Sequence, residues 1–500
     1  MIACIPPSLT FMRKCRFKSL VLIIGVALLT PTAIADERDD RIRSLEKRVE
    51  QLEQLLQKQP TKPVPPGEAP KPPAATDTPR PAEPPRTLPS LSVSASGFSM
   101  RSADTNFVLR LRGLLHFDSR WYFNDGGIGD NDSFVIRRAR PILEGTVFRD
   151  FDFLFTPEFG GSSPAIRDAW LNYRYNDALQ LRAGKMKPPA NLERAQSISA
   201  STFVERSLVS GFWPVRDVGL MLHGELWPGD ESLTKKLGWR GWVNYALGVF
   251  NGTPDGRSAG NSDFDDDKTV AGRLFFHPFL KTGLKPLHGL GLGVSATYGN
   301  MEGSAGLPDD RGYPTEAEQT FFSYLSGVGT NAATSNVIAD GTHWRLGPQA
   351  YWYWGPFGLL GEYAVSSHRL QRQAGPTTFA HANHHAWSIT GSWLLTGEDA
   401  SFRAIAPQKN FDPRAGGWGA WQLVARYSQL GIDNDVFPTL ADPTESATRA
   451  DAWAIGLNWY LNRNVRAYFD FNHTDFKGRS SGSVTAQDED AFLTRIQLAF

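Results

Sequence analysis

From residue 98 onward the chain alternates apolar and polar side chains with a period of two. Phe107, Leu109, Leu111, Leu115 and Phe117 fall on one parity; Arg110, Arg112, His116, Asp118 and Arg120 fall on the other. The same split recurs with Trp344, Leu346, Ala350, Trp352 and Trp354 against His343, Arg345, Gln349 and Tyr351. It returns with Leu423, Ala425 and Tyr427 against Gln422, Arg426 and Ser428, and with Val465, Ala467, Phe469 and Phe471 against Arg466, Asp470 and Asn472. Successive side chains of a strand point to opposite faces, so each stretch predicts a strand with one apolar and one polar side.

A soluble sandwich with a dry core also alternates. Three features favour a membrane barrel. The alternating stretches run to about ten residues, the length a tilted strand needs to cross a bilayer. Aromatic residues gather at the ends of the apolar faces (Trp352 and Trp354, Trp459 and Tyr460), where interfacial girdles belong. Turn signals at 355–358 and 462–464 alternate with longer polar segments at 301–340 and 366–383, giving one tight rim and one ragged rim. The segment 492–500 alternates and closes on Phe500, an ending typical of bacterial outer-membrane barrels. The fold class is therefore all-β: an antiparallel transmembrane barrel, closed because hydrocarbon tolerates no unpaired strand edge. At roughly 25 residues per strand with its loops, residues 98–500 supply about 16 strands, wide enough for an aqueous channel.

The first 97 residues follow other rules. Residues 1–35 read as a signal peptide, with a basic start at Arg13, Lys14, Arg16 and Lys18, an apolar run over 20–29 and the small-residue site Ala33-Ile34-Ala35. Either Met1 or Met12 could begin it. Residues 36–59 carry Ile42, Leu45, Val49, Leu52 and Leu56 at spacings of 3, 4, 3 and 4, which predicts a short α-helical coiled-coil stalk. Residues 60–97 form a Pro-rich linker, with twelve prolines between Pro60 and Pro89, and stand between the stalk and the barrel. The signal takes the mature chain out of the cytoplasm, and the barrel pattern then predicts the bacterial outer membrane, against lipid, with the stalk in the periplasm and within reach of the cell wall.

Composition narrows the chemistry. The chain has 52 Lys+Arg and 52 Asp+Glu, so no global basic field gathers nucleic acid. Both cysteines, Cys4 and Cys15, lie in the leader, which excludes a disulfide framework and a cysteine nucleophile downstream. Mean hydropathy is −0.33, too polar for a helical membrane bundle.

The polar parity carries cations. Arg110, Arg112, Arg138, Arg140 and Arg182 fall on faces that a barrel turns inward, while Arg137 takes the opposite parity to Arg138. Guanidinium is always charged and offers a flat fork of donors suited to phosphate or carboxylate oxygens. A stair of such groups selects anions by field. Asp118, Glu144, Asp152, Glu158, Asp168, Glu362 and Asp470 are available to neutralise them in transverse pairs.

Three runs of residues carry a family likeness: Ile136-Arg137-Arg138-Ala139-Arg140, Arg167-Asp168-Ala169-Trp170 and the stretch 181–193, which includes Gly184-Lys185-Met186-Lys187-Pro188. So do Phe203-Val204-Glu205-Arg206-Ser207, Val249-Phe250-Asn251-Gly252, Leu395-Thr396-Gly397-Glu398 and the stretch 456–462. In this order they resemble the phosphate- and polyphosphate-selective porin O/P family over nearly all of 100–500. The resemblance implies a trimeric barrel of 16 strands whose inward loop and arginine ladder form an anion site. It also implies constriction cations at Arg137, Arg138, Lys187 and Arg206, with Asp168 as the acidic partner opposite. For Arg137 and Arg138 both to face inward, the strand needs a bulge. Pro189-Ala190 stands where the family usually has Pro-Phe.

The expected function is passive diffusion of small anions, phosphate or polyphosphate first, through a homotrimeric porin that is not an enzyme and uses no cofactor. A general pore of low selectivity and an envelope tether anchored by its barrel are the alternatives. The acidic run 261–267 lacks the Gly and distal Glu of a calcium loop, and His381, His384 and His385 lack a fourth ligand, so no metal site is expected. The Gly-rich piece 289–293 sits inside an alternating strand, without the helix that a dinucleotide site requires.

Overall fold

The side chains on the apolar parity stand outward. Leu111, Leu115 and Phe117 are among the exposed apolar residues, whereas His116 and Asp118, on the other parity, are fully buried. The computed structural model describes residues 88–500 apart from 124–130, 162, 230, 262, 264, 304–311, 327–335, 373–377 and 479–486. The expected signal peptide, the coiled-coil stalk and residues 60–87 of the linker lie outside the described residues.

Among the described residues, twenty strands follow in order: β1 (Ser90–Ser94), β2 (Gly97–Arg101), β3 (Val108–Tyr122), β4 (Ser133–Val147), β5 (Phe151–Glu158), β6 (Ala165–Asn176) and β7 (Leu179–Met186). Next come β8 (Asp217–Pro228), β9 (Gly241–Phe250), β10 (Thr269–Phe276), β11 (Leu290–Glu302), β12 (Tyr313–Pro314) and β13 (Thr320–Phe322). The last are β14 (Val337–Trp354), β15 (Phe357–Arg372), β16 (Thr378–Leu394), β17 (Ala420–Gly431), β18 (Arg449–Tyr460), β19 (Val465–Lys477) and β20 (Glu489–Ala499). All but β12 and β13 join one antiparallel sheet of 18 strands. β20 pairs with β3, from Ala491 opposite Tyr122 to Ala499 opposite Leu114, and closes a ring of 16. The hairpin β1–β2 is an annex to this ring: β2 pairs with β3 at residues 108–111, below the stretch that β20 occupies. Ordered sheet therefore begins at Ser90, inside the segment read as linker from its prolines.

One rim is largely tight. Gly355-Pro356 joins β14 to β15, Asp177-Ala178 joins β6 to β7, and 461–464 joins β18 to β19. The other rim carries 187–216, 251–268, 303–336 and 432–448. The segment 366–383, expected as a polar loop, is instead mostly strand. β15 runs on to Arg372 and β16 starts at Thr378, because alternation continues through Ser366, His368 and Leu370. Segment 301–340 is likewise shorter as a loop, since β11 and β14 reach into it. At the tight rim an aromatic belt faces out, with Trp421 stacked on Trp459 at 5.0 Å and Phe357 on Trp393 at 6.1 Å. Tyr460 is not part of that belt: its parity turns it inward, where its hydroxyl donates to Gln422 Oε1.

The ragged-rim loops fold into the lumen beside β14–β18. Phe212 and Trp213 of 187–216, with Tyr313, Phe321 and Phe322 of 303–336, pack as one apolar cluster against inward Ala364, Ala382, Ala386, Ala450 and Ala452. Small wall residues leave room for large loop residues. At Gly347 a Cβ would stand 2.5 Å from Trp213 Cζ2, so the wall needs glycine there.

Candidate functional site

The register between β3 and β4 shifts between His116 and Phe117, where His116 faces Arg138 and Phe117 faces Ile136. Arg137 is the extra residue of a bulge, and the bulge turns it inward beside Arg138 against the parity of the sequence. A second bulge between β5 and β6 pairs Thr156 with Asp168 and Pro157 with Ile166, leaving Arg167 as the extra residue.

Loop 187–216 is stitched to the inner wall by its backbone. Glu362 of β15 accepts from Leu192 N (2.5 Å), Glu193 N (3.0 Å) and Asn191 Nδ2 (2.9 Å). Asp470 of β19 accepts from Val204 N at 2.6 Å. Arg466 donates to Ser201 O, Asn458 to Thr202 O, Arg495 to Val204 O and Arg426 to Glu205 O. These inward arginines each give a donor to the loop, while Arg426 Nε and Arg466 Nε and Nη2 stay buried without a partner. Arg495 also clamps Asp118 with two bonds of 2.7 Å at the β20–β3 seam. Glu205 projects from the loop among four guanidiniums: Arg137 at 2.7 Å, Arg495 at 3.4 Å, Arg120 at 3.6 Å and Arg138 at 3.7 Å. Burial alone would raise the Glu205 carboxyl, but Arg137, Arg138 and Arg495 hold it well below the ordinary range.

Between that loop and the inner faces of β3–β7 lies a cavity of about 340 Å3. Eight basic side chains line it (Arg112, Arg138, Arg140, Arg167, Arg182, Lys187, Arg206 and Arg216), against two acids, Glu144 and Asp168. Three of the cations have carboxylates at close range. Arg216 holds Asp168 at 2.6 and 3.1 Å, Arg140 holds Glu158 at 2.5 Å and Arg112 holds Glu144 at 3.0 Å. Among the described residues, four others form no ion pair. Arg167 donates to Ser258 Oγ, Arg182 lies over the Trp170 ring at 4.1 Å, and Lys187 donates to the carbonyls of Arg194 and Gln196. The fourth, Arg206, has a buried Nε without a hydrogen-bond partner. Burial, with Arg216 and Arg206 nearby, pushes the Lys187 ammonium well below the ordinary lysine range.

Of the residues expected at the constriction, Arg138, Lys187, Arg206 and Asp168 share this cavity, together with Arg112, Arg140 and Arg182. Arg137 does not line it; its guanidinium is held by Glu205 and by Glu318 at 2.9 Å. Arg110 lines a second cavity at the tight rim, beside Arg101, Arg112 and Arg463. Asp168 is the partner of Arg216 rather than a free acid opposite the cations. Alternation gave no signal for Arg216, which precedes β8 in an aperiodic segment, nor for the bulged Arg167. His381, His384 and His385 do not converge: His384 faces inward, bonded to Tyr324 and Asp433 N, while the other two are exposed.

The family model for phosphate-selective porin O and P matches residues 109–500. Porin O of Pseudomonas aeruginosa is 26% identical over 431 residues, covering 81% of this chain and 91% of its own length. Among solved structures, the outer membrane channel DcaP of Acinetobacter baumannii aligns with a TM-score of 0.48 at 11% identity, over 81% of this chain and 100% of its own. The loop L8 deletion mutant of OmpT from Vibrio cholerae aligns at 0.46 and 9% identity, over 79% of this chain and 100% of its own. With the family match spanning the whole ring, the chain belongs to the phosphate-selective porin O and P family, channel proteins of the outer membrane rather than enzymes.

Proposed function

We propose that this porin is a passive, water-filled channel for small anions, phosphate or polyphosphate first, and works as a homotrimer. The carrying observation is the set of four cations, Arg167, Arg182, Lys187 and Arg206, that line one cavity without a carboxylate partner. Unpaired guanidinium and ammonium groups attract an anion by field and bind it through exchangeable hydrogen bonds. Arg138 stands beside them, half-neutralised by Glu205 at 3.7 Å. Movement is downhill, with no covalent step.

A general pore is the reading that the paired cations favour, since Arg140–Glu158 and Arg216–Asp168 cancel charge across the lumen. Bilayer recordings in a chloride gradient, with phosphate then titrated in, separate the two. The anion channel gives an anion-selective reversal potential and a phosphate block that weakens in Arg138→Ala and Arg206→Ala. A cation-selective potential overturns it, and anion-neutral passage without block leaves the general pore.

A further inference from the structure

The cationic cavity has an apolar wall that charge selection alone does not use. Leu114, Ile142, Leu154, Trp170 and Met186, one from each of β3 to β7, line the same space as the four unpaired cations. They share the inner face by register, with Ile142 opposite Arg112 and Leu154 opposite Trp170. Behind them the stripe is backed by Met221, Phe250 and Ala271, which pack with Met186 and Trp170. Leu114 and Met186 are already buried, but Ile142, Leu154 and Trp170 keep partial exposure; these three gain nothing from a hydrated inorganic ion and stabilise a ligand that removes them from water.

We propose that this cavity also takes organic anions carrying a compact apolar body, aryl carboxylates foremost, and prefers them to small carboxylates of equal charge. The inference rests on the anion-channel reading above and adds the class of solute. The headgroup goes to Arg182, Arg206 and Arg167, each of which has a buried Nε without a partner. Arg182 already lies over Trp170 at 4.1 Å, so an anion held there sets its body against Trp170, Leu154 and Ile142. A volume of about 340 Å3 falls within the roughly 300–1,000 Å3 of small-molecule sites, larger than one tetrahedral oxyanion needs.

The test compares benzoate with acetate as blockers of chloride current through the full-length protein in planar bilayers, with inorganic phosphate as a third probe. The two carboxylates carry the same charge and differ in the ring. Benzoate is expected to block at a concentration lower by about tenfold or more. That ratio is expected to fall toward one in Leu154→Asn and in Trp170→Ala. Equal block by benzoate and acetate overturns the proposal while leaving the anion channel standing. A full ratio retained in Leu154→Asn overturns it as well, because the body then rests elsewhere. If none of the three probes blocks and the reversal potential shows no anion preference, the channel reading fails with it. The comparison on the unmodified protein needs no substitution, so a variant that misfolds does not remove the test.

Discussion

Along β3–β7 the inward side chains are long cations and a few large apolar groups, and loop 187–216 stands off far enough to leave a cavity. Along β14–β18 the inward positions include Ala364, Ser366, Ala382, Ala386, Ala450 and Ala452, and loop side chains fill the space they leave. There Asp255 of loop 251–268 is held by Arg345 Nε (2.6 Å), Tyr313 OH (2.8 Å) and Ser366 Oγ (2.8 Å). Burial would raise that carboxyl, yet Arg345 and the facing imidazoles of His343 and His368 keep it well below the ordinary range. Both sides obey the same alternation. What differs is the pairing: on the packed side Asp255 and Glu316 hold Arg345 and Arg426, whereas on the open side four cations of one cavity have no carboxylate partner.

The largest effect belongs on the packed side. Arg345→Ala leaves the Asp255 carboxylate buried without its cation, which costs about 3–5 kcal/mol. A lowered urea midpoint is the readout, and Arg345→Met with Asp255→Asn should recover most of the loss. On the open side, Arg206→Ala removes a cation that no carboxylate holds, so the barrel should keep its midpoint. Sulfate block of chloride current should weaken about tenfold, or about 1.4 kcal/mol.

A pH series sharpens the same contrast. Burial lowers the Lys187 ammonium below lysine's ordinary 10.5, so its positive charge is present at low pH and is lost as pH rises through that depressed value. Sulfate keeps its charge throughout; its block should therefore fall severalfold on raising pH within the range below 10.5, and Lys187→Arg should flatten the curve. The smallest effect is expected at Arg112, whose side chain is 39% exposed and paired with Glu144. Arg112→Ala should cost under about 1 kcal/mol in stability and change sulfate block less than twofold.

The ring was legible from alternation, because a wall between lipid and water forces a period of two on every strand. Leu115 against His116 and Phe469 against Asp470 show it directly. Of the register shifts in the ring, those that free Arg137 and Arg167 lie beside the site: sequence places Arg137 and Arg138 on opposite faces, while the backbone brings both inward. The inward loops were opaque for a different reason. Their side chains are ordered by contact with a distant wall, as Phe321 is with Phe476 and Trp213 with Gly347, and contact over such separations leaves no local period. Arg216 belongs to that class. Arg345, Arg426 and Arg495 were legible as inward but not as occupied, since their partners Asp255, Glu316 and Asp118 come from elsewhere in the chain.

The seam between β3 and β20 joins residues near Leu114 to residues near Ala499, and Gly113 and Phe500 exchange two backbone bonds of 3.0 Å at its foot. Every other junction in the ring pairs strands that follow one another along the wall, whereas this one joins the first strand of the ring to the last and forms only when β20 meets β3. Until then β3 and β20 each present a bare strand edge, the form in which such chains stick to one another. The eleven residues of β20 thus set the moment at which a vulnerable open sheet becomes a pore.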